Sequence, residues 1–196
     1  MKKRVTIVIA IVFLIICLIL LLIKFWPEPP VEYTDDRYPN EAPVIIECYS
    51  DFECPFCHKA LSVLSAVKEK YGDEVEIQFK HFIVHGAQSR LAAQASECAR
   101  DQGMFDEYKH ALYEHGSPFT TDVMENIAQD LGLNRDKFSD CLESGEKDIV
   151  VRYDQQVAKI KGISATPTFI INNDIKLVGL RSQADFEIII DRLLTK

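Results

Sequence analysis

The sequence predicts an α/β domain carrying a helical insertion and preceded by one transmembrane helix. Three patterns predict it: an uncharged apolar run near the N-terminus, a strand–helix–strand opening from residue 44, and a helical stretch over about 86–162, after which strand signals return before a last helix. With 196 residues, 47% hydrophobic and 27% charged, the chain has room for one folded domain of ordinary composition plus that special segment. The expected division is a cytoplasmic stub and anchor over 1–24, a proline-rich linker over 25–43, and the α/β domain over 44–196.

The anchor is the run from Val5 to Ile23, nineteen residues without a charge. At 1.5 Å per residue it covers most of a bilayer's hydrocarbon core. Lys2, Lys3 and Arg4 precede it and only Lys24 directly follows, a bias that keeps the N-terminus in the cytoplasm and sends the remainder across. A cleaved signal would have a shorter apolar core and small residues at its end, and none follow Ile23. A lipid-modified Cys17 is disfavoured because Ile15 and Ile16 stand where small residues are expected. Without the three basic N-terminal residues the net charge falls from −8 to −11, which argues against a nucleic-acid partner.

Five of the eight prolines lie between Lys24 and Pro43, without apolar periodicity, and read as a semi-rigid tether. The run Val44-Ile45-Ile46-Glu47-Cys48-Tyr49 is rich in strand formers and stops at Ser50-Asp51. A helix follows, with Ala60, Val63, Leu64, Val67 and Tyr71 on one face and Gly72 at its end. Residues 74–84 alternate as a second strand through Val75, Ile77 and Phe79. The insertion should hold four or five short helices, one capped by Thr121 and ended by Gly132. Thr168 to Ile171 and Ile175 to Val178 read as a hairpin about the turn Asn172-Asn173-Asp174, and a last helix opens on the capping box Ser182 to Asp185.

The first strand delivers Cys54-Pro55-Phe56-Cys57 to the start of a helix. There the first sulfur sits over unpaired backbone N–H groups and the positive end of the dipole, which stabilise a thiolate. Cys54 is therefore the expected attacking sulfur, and Cys57, one turn in, is shielded. Pro55 suits the first turn, whose N–H is unpaired in any helix. Three other uses of the pair compete with exchange. Cys54 to His58 has the haem-attachment spacing of c-type cytochromes, with Met104 or Met124 as an axial ligand, but those proteins are mostly helical and here a strand precedes the motif. A zinc site would draw on His81 and His85, yet 23 residues separate Cys57 from His81 and both histidines fall in a strand pattern. A plain structural disulfide across so short a loop is strained and reducible, which suits exchange better than stapling.

The joint, ordered occurrence of Asp51-Phe52-Glu53-Cys54-Pro55-Phe56-Cys57, Glu97-Cys98-Ala99 with Gln102-Gly103, and Thr166-Pro167-Thr168-Phe169 resembles the disulfide-bond oxidoreductase A (DsbA) family of thioredoxin-fold proteins, over roughly Val44 to Leu194. The resemblance implies a thioredoxin fold and a cis peptide at Pro167 facing the cysteine pair, with the Thr166 backbone pairing with a substrate chain. A proline has no N–H to offer and fixes a turn, so that loop can hold an extended peptide across the disulfide. Many relatives carry a buried acid in the strand before the motif; counted without a gap that place is Cys48, while Glu47 points to the other face. Either Glu47 serves after a slip of one residue or the acid is missing. Cys48 itself reads as a buried small hydrophobe. Phe56, His58 and Glu47 are tuning candidates. Cys98 and Cys141 are candidates for a structural disulfide, as some relatives have one there, against two buried free thiols.

The expected activity is that of an extracytoplasmic dithiol oxidase, needing no cofactor, that introduces disulfides into unfolded exported proteins through Cys54 and Cys57. The resemblance implies re-oxidation by a membrane quinone reductase of the DsbB or vitamin-K-epoxide-reductase type, whose effective concentration a tether would raise. A reductase or isomerase would use the same cysteines.

Overall fold

The computed structural model describes residues 12–18 and 32–195. The chain divides into two units, Met1–Pro30 and Val31–Lys196. In the first, residues 12–18 are helical and exposed; the rest of the expected membrane span lies outside the described residues, and among those described no helix is long and apolar enough to cross a membrane.

The second unit is built on a four-stranded sheet of β1 (Val44–Ser50), β2 (Val75–His81), β3 (Thr168–Ile171) and β4 (Ile175–Val178), ordered β2-β1-β3-β4. β1 runs parallel to β2 and antiparallel to β3, and β3 antiparallel to β4. Helix α1 (Pro55–Tyr71) makes the parallel crossover from β1 to β2. Five helices then intervene: α2 (Ala87–Arg100), α3 (Phe105–His115), α4 (Thr121–Asp130), α5 (Arg135–Ser144) and α6 (Asp148–Ile160). The hairpin β3–β4 and α7 (Gln183–Leu194) close the chain.

Alternation along β1 decides which faces are covered. Val44, Ile46 and Cys48 point to one side with Phe169 and Ile171, against Ala60, Leu64 and Val67 of α1 and Phe186 and Ile190 of α7. Tyr49 and Ile170 point to the other, against Ala158 of α6 and Ile163. The insertion has its own core around Ala92, Tyr108, Leu112, Met124 and Phe138, and that core also takes in Phe52, Cys54, Cys57 and Phe79. The cysteine pair thus lies where the sheet unit meets the insertion.

Local expectations are corrected in three places. Thr120, not Thr121, caps α4: its backbone is extended and its side chain accepts from the Val123 N–H, leaving Thr121 inside the helix. β2 stops at His81 instead of reaching residue 84, because the Val84 N–H turns away to the Asp51 carboxylate at 2.7 Å. Over residues 32–43 the linker is no tether. Arg37 is buried, with hydrogen bonds to Asp35, to Asp154 of α6 and to Glu97 of α2, and Tyr38 donates to the Phe79 carbonyl at 2.7 Å. A guanidinium fixed by three carboxylates docks this segment on the domain.

Candidate active site around Cys54 and Cys57

The turn between β1 and α1 sets the site. Asp51 is fully buried, and its carboxylate accepts from the Glu53 N–H at 2.8 Å, the Ser89 hydroxyl at 2.5 Å and the backbone N–H groups of Val84 and His85 at 2.7 and 3.0 Å. The ring of His85 lies beside it too, at 3.1 Å. The Asp51 carbonyl then accepts from the Cys54 N–H at 3.1 Å, which closes the turn and leaves Cys54 as the N-cap of α1 in extended conformation. No side chain caps that helix start, and Pro55 occupies its first turn. Pro55 has no N–H to leave unpaired, and the Cys57 and His58 N–H groups turn back to the Cys54 carbonyl at 3.0 and 3.3 Å.

Cys54 and Cys57 are free thiols, and both are buried, at 5% and 1% exposure. The Cys54 thiol donates to the Thr166 carbonyl at 3.5 Å, and the Thr166–Pro167 peptide is cis. Burial pushes the Cys57 thiol far up; hydrogen bonds from the Ser50 side chain and the Asp51 backbone oppose the shift, while Cys48 and Cys54 add to it. Cys48 is likewise pushed up by burial, to about 11, against a hydrogen bond with Ser50. Its sulfur lies 3.4 Å from the Ser50 hydroxyl.

The other candidates fall into two groups. Pro55, Phe56 and His58 stay at the site: Phe56 is 53% exposed, and His58 stacks on Tyr113 with ring centroids 5.5 Å apart and lies 3.2 Å from a Glu114 oxygen. Glu47 does not. It is held by Lys161, with the Tyr49 hydroxyl 3.5 Å away, on the sheet face away from Cys48. Cys98 and Cys141 are bonded to each other, joining α2 to α5 across 43 positions with their Cα atoms 5.9 Å apart. Among the described residues Asp101, Cys141 and Glu146 form a group with metal-ligand spacing, but its sulfur is in that disulfide. His81 lies 2.8 Å from a Glu97 oxygen and His85 pairs with Asp51, each committed elsewhere than to the cysteines.

Sequence reasoning gives no role to Ser50, Asp51 or Tyr113. The first two are legible as polar residues ending an apolar strand, and Asp51 also as the first residue of the cysteine motif; Tyr113, buried and donating to the Asp51 carbonyl at 3.4 Å, comes from the insertion and carries no signal of its place. The second cis peptide, Ser117–Pro118, is equally unmarked in the sequence; there Ser117 donates to Glu53 at 2.9 Å, and Glu53 in turn accepts from Ser89.

Known proteins share parts of this sequence and this geometry. The chain is 32% identical over 149 residues to a Na(+)/H(+) antiporter NhaA 1 of Mycolicibacterium vanbaalenii, a match covering 74% of this chain and 24% of that protein. A NhaA of Herminiimonas arsenicoxydans is 31% identical over 146 residues, with 74% and 23% covered. The chain thus spans about a quarter of the length of these antiporters. Among solved structures, a thioredoxin-like oxidoreductase from Silicibacter pomeroyi superposes with a TM-score of 0.73 at 22% identity, covering 84% of this chain and 99% of that one. The thiol-disulfide exchange protein α-DsbA2 of Wolbachia pipientis gives 0.72 at 20%, covering 81% and 88%. BdbD of Bacillus subtilis in its oxidised form gives 0.70 at 23%, covering 80% and 90%. The fold is therefore that of DsbA-like proteins, and since the thioredoxin family model matches residues 39–192, the chain belongs to the thioredoxin family.

Proposed function

We propose that the chain is an extracytoplasmic thiol–disulfide oxidoreductase, anchored by residues 5–23, that oxidises dithiols in unfolded exported proteins. The observation that carries this reading is the asymmetry of one cysteine pair: Cys54 at an uncapped helix start beside the cis-proline loop, Cys57 one turn in and held as a thiol by burial. A substrate thiolate attacks Cys54 of the disulfide form, and a second substrate thiol displaces it, leaving the enzyme reduced. Exposed Phe56 beside the pair, with Val178 and Leu180 flanking Gly179, whose N–H bonds to the Pro167 carbonyl at 2.8 Å, offers an apolar surface suited to an unfolded polypeptide. The Wolbachia neighbour's description as a thiol-disulfide exchange protein supports the same chemistry, and a membrane quinone reductase of the DsbB or vitamin-K-epoxide-reductase type is the proposed re-oxidant. Antiport is not proposed, since the chain spans only 24% of the relative that bears that name.

The direction is tested by equilibrating the protein with glutathione. A reduction potential near the oxidising end of the known scale, about −120 mV, supports the oxidase; one near about −270 mV assigns the reductase role instead.

A further inference from the structure

We propose that the cavity between α1, the β2 edge and α3 binds a small anionic amphiphile, one carboxylate on an apolar body of about ten carbons. Its volume is about 330 Å³, at the lower end of small-molecule sites and about twice the ~150 Å³ that admits benzene. None of Cys54, Phe56, Val178 and Leu180 lines it, so it is separate from the exchange surface. The proposal goes beyond the exchange reading and does not rest on it.

The floor of the cavity is apolar. β2 is the edge strand on that side of the sheet, and its Ile77 and Phe79 line the cavity with Leu61 and Leu64 of α1 and Phe105 of α3. The Phe79 and Phe105 rings meet edge to face with centroids 5.8 Å apart. Walls of this kind favour an apolar body and give a hydrated ion alone nothing to bind.

The rim is cationic. Lys68, Arg100 and Lys109 line it against one lining acid, Asp106, in a chain whose net charge is −8. None of the three is fully neutralised. The Lys68 ammonium donates to the Gly72 and Val75 carbonyls at 2.8 and 2.9 Å, which uses two of its three protons, and the Asp73 carboxylate 4.0 Å away is fully exposed. Arg100 gives Nε and one Nη to Glu97 and the Tyr38 hydroxyl, while its guanidinium lies 3.5 Å over the Phe105 ring. Its other Nη is left, and Glu97 is already shared with Arg37 and His81. Lys109 pairs with Asp106 at 2.5 Å, but that carboxylate is 77% exposed and such pairs are weak. The Lys109 ammonium also stands 5.3 Å from the Phe105 centroid and 5.6 Å from that of Phe79. An apolar body lying on the two rings therefore brings its charged end to the cations, and a planar carboxylate matches the guanidinium fork. The volume leaves no room for the paired acyl chains of a bilayer lipid, and the rim disfavours a cationic amphiphile.

The test uses the full-length chain in lipid nanodiscs, titrated with 2-naphthoate and with its neutral amide, with empty discs as the blank. Saturable binding of naphthoate is expected, about ten-fold tighter than that of the amide. Lys68→Gln should weaken naphthoate several-fold and leave the amide unchanged. Ser65→Trp, which plugs the cavity from an exposed position on α1, should abolish binding of both at an unchanged Tm. Cys54→Ser should bind as the parent does, so that loss of exchange and loss of binding are read separately. Uptake by empty discs alone, equal affinity for acid and amide, or naphthoate binding indifferent to Ser65→Trp overturns the proposal. Displacement of naphthoate by an unfolded apolar peptide whatever its charge would assign the cavity to polypeptide and overturn it too. Should Lys68→Gln fail to fold, Lys109→Gln gives the same reading: a selective loss of naphthoate supports the site, and an unchanged acid-to-amide ratio overturns it.

Discussion

Around Cys54 and Cys57 the thiols are free and the buried carboxylate of the turn, Asp51, is met by N–H groups and the Ser89 hydroxyl, whereas around Glu97 buried carboxylates are met by guanidinium groups and the neighbouring Cys98 is bonded. Both regions draw on β2 and α2. In the second, Glu97, next to Cys98 in sequence, is met by Arg37, Arg100 and His81, and Asp154 by Arg37 and the His81 N–H; the His81 Nδ1 atom is left without a partner. Carboxylates and guanidinium groups saturate one another there, so the region ties the 32–43 segment, α2 and α6 together and leaves little to react. The first region keeps its sulfurs free, the Cys54 thiol bonded only to a backbone carbonyl. The free sulfurs lie in the first region, and the ionic ties between distant segments in the second.

The largest effect expected is a functional one. Cys54→Ser abolishes thiol–disulfide exchange, while Cys98→Ala with Cys141→Ala leaves the exchange rate within about two-fold, measured as oxidation of a dithiol peptide. Loss of exchange in the second variant as well would erase the contrast between the two pairs.

Next comes Arg37→Met. It strands Asp154 and Glu97, buried at 1% and 2%, without their shared guanidinium, and an uncompensated buried charge costs about 3–5 kcal/mol. Urea unfolding measures it; a change under about 1 kcal/mol would mean that residues 32–43 do not hold the domain together. Removing the Cys98–Cys141 bond, which spans 43 positions, should cost about 4 kcal/mol in the chain-entropy model and lower Tm with exchange intact.

A pH effect arises from the same charges. Burial alone would raise Asp35, but hydrogen bonds from Arg37 and Lys80 bring it down to about 2; burial would likewise raise Glu97, but its hydrogen bond to His81 and the charges of His81, Arg100 and Arg37 hold it well below the usual carboxylate range. Groups whose folded pKa is depressed add stability above their unfolded pKa of about 4, and that stability is lost as pH falls through the folded values. Stability should therefore drop between about pH 4 and pH 2, and the drop should shrink in Arg37→Met. The smallest effect is at a helix end far from both regions: Thr120→Ala removes the cap of α4 and costs about 1 kcal/mol, whereas Thr121→Ala costs little.

Much of this is legible in the sequence, for reasons that differ along the chain. Period-two and helical apolar patterns announce the strands, the crossover helix and the insertion, and Cys54 and Cys57 are marked by spacing alone. The hidden part depends on contacts between segments far apart in sequence. Arg37 sits among prolines and looks like linker, and only its encounter with Asp154, 117 positions on, shows it to be part of the domain. Ser50 and Tyr113 are ordinary polar residues until the fold sets one 3.4 Å from the Cys48 sulfur and the other, from α3, against the Asp51 carbonyl. Glu47 lies with Lys161 on the sheet face away from Cys48 because alternation turns it there, a fact the strand pattern already contains.

The most direct test of the central claim is covalent capture in cells that make the full-length chain. Cys57→Ser removes the sulfur that clears stalled complexes, so it should accumulate mixed disulfides with thiol proteins through Cys54, seen on non-reducing gels as adduct ladders that collapse on reduction. Cys54→Ser should give none. Equal ladders from both variants, or none from either at good expression, would contradict the assignment of Cys54 as the attacking sulfur of an exchanging pair.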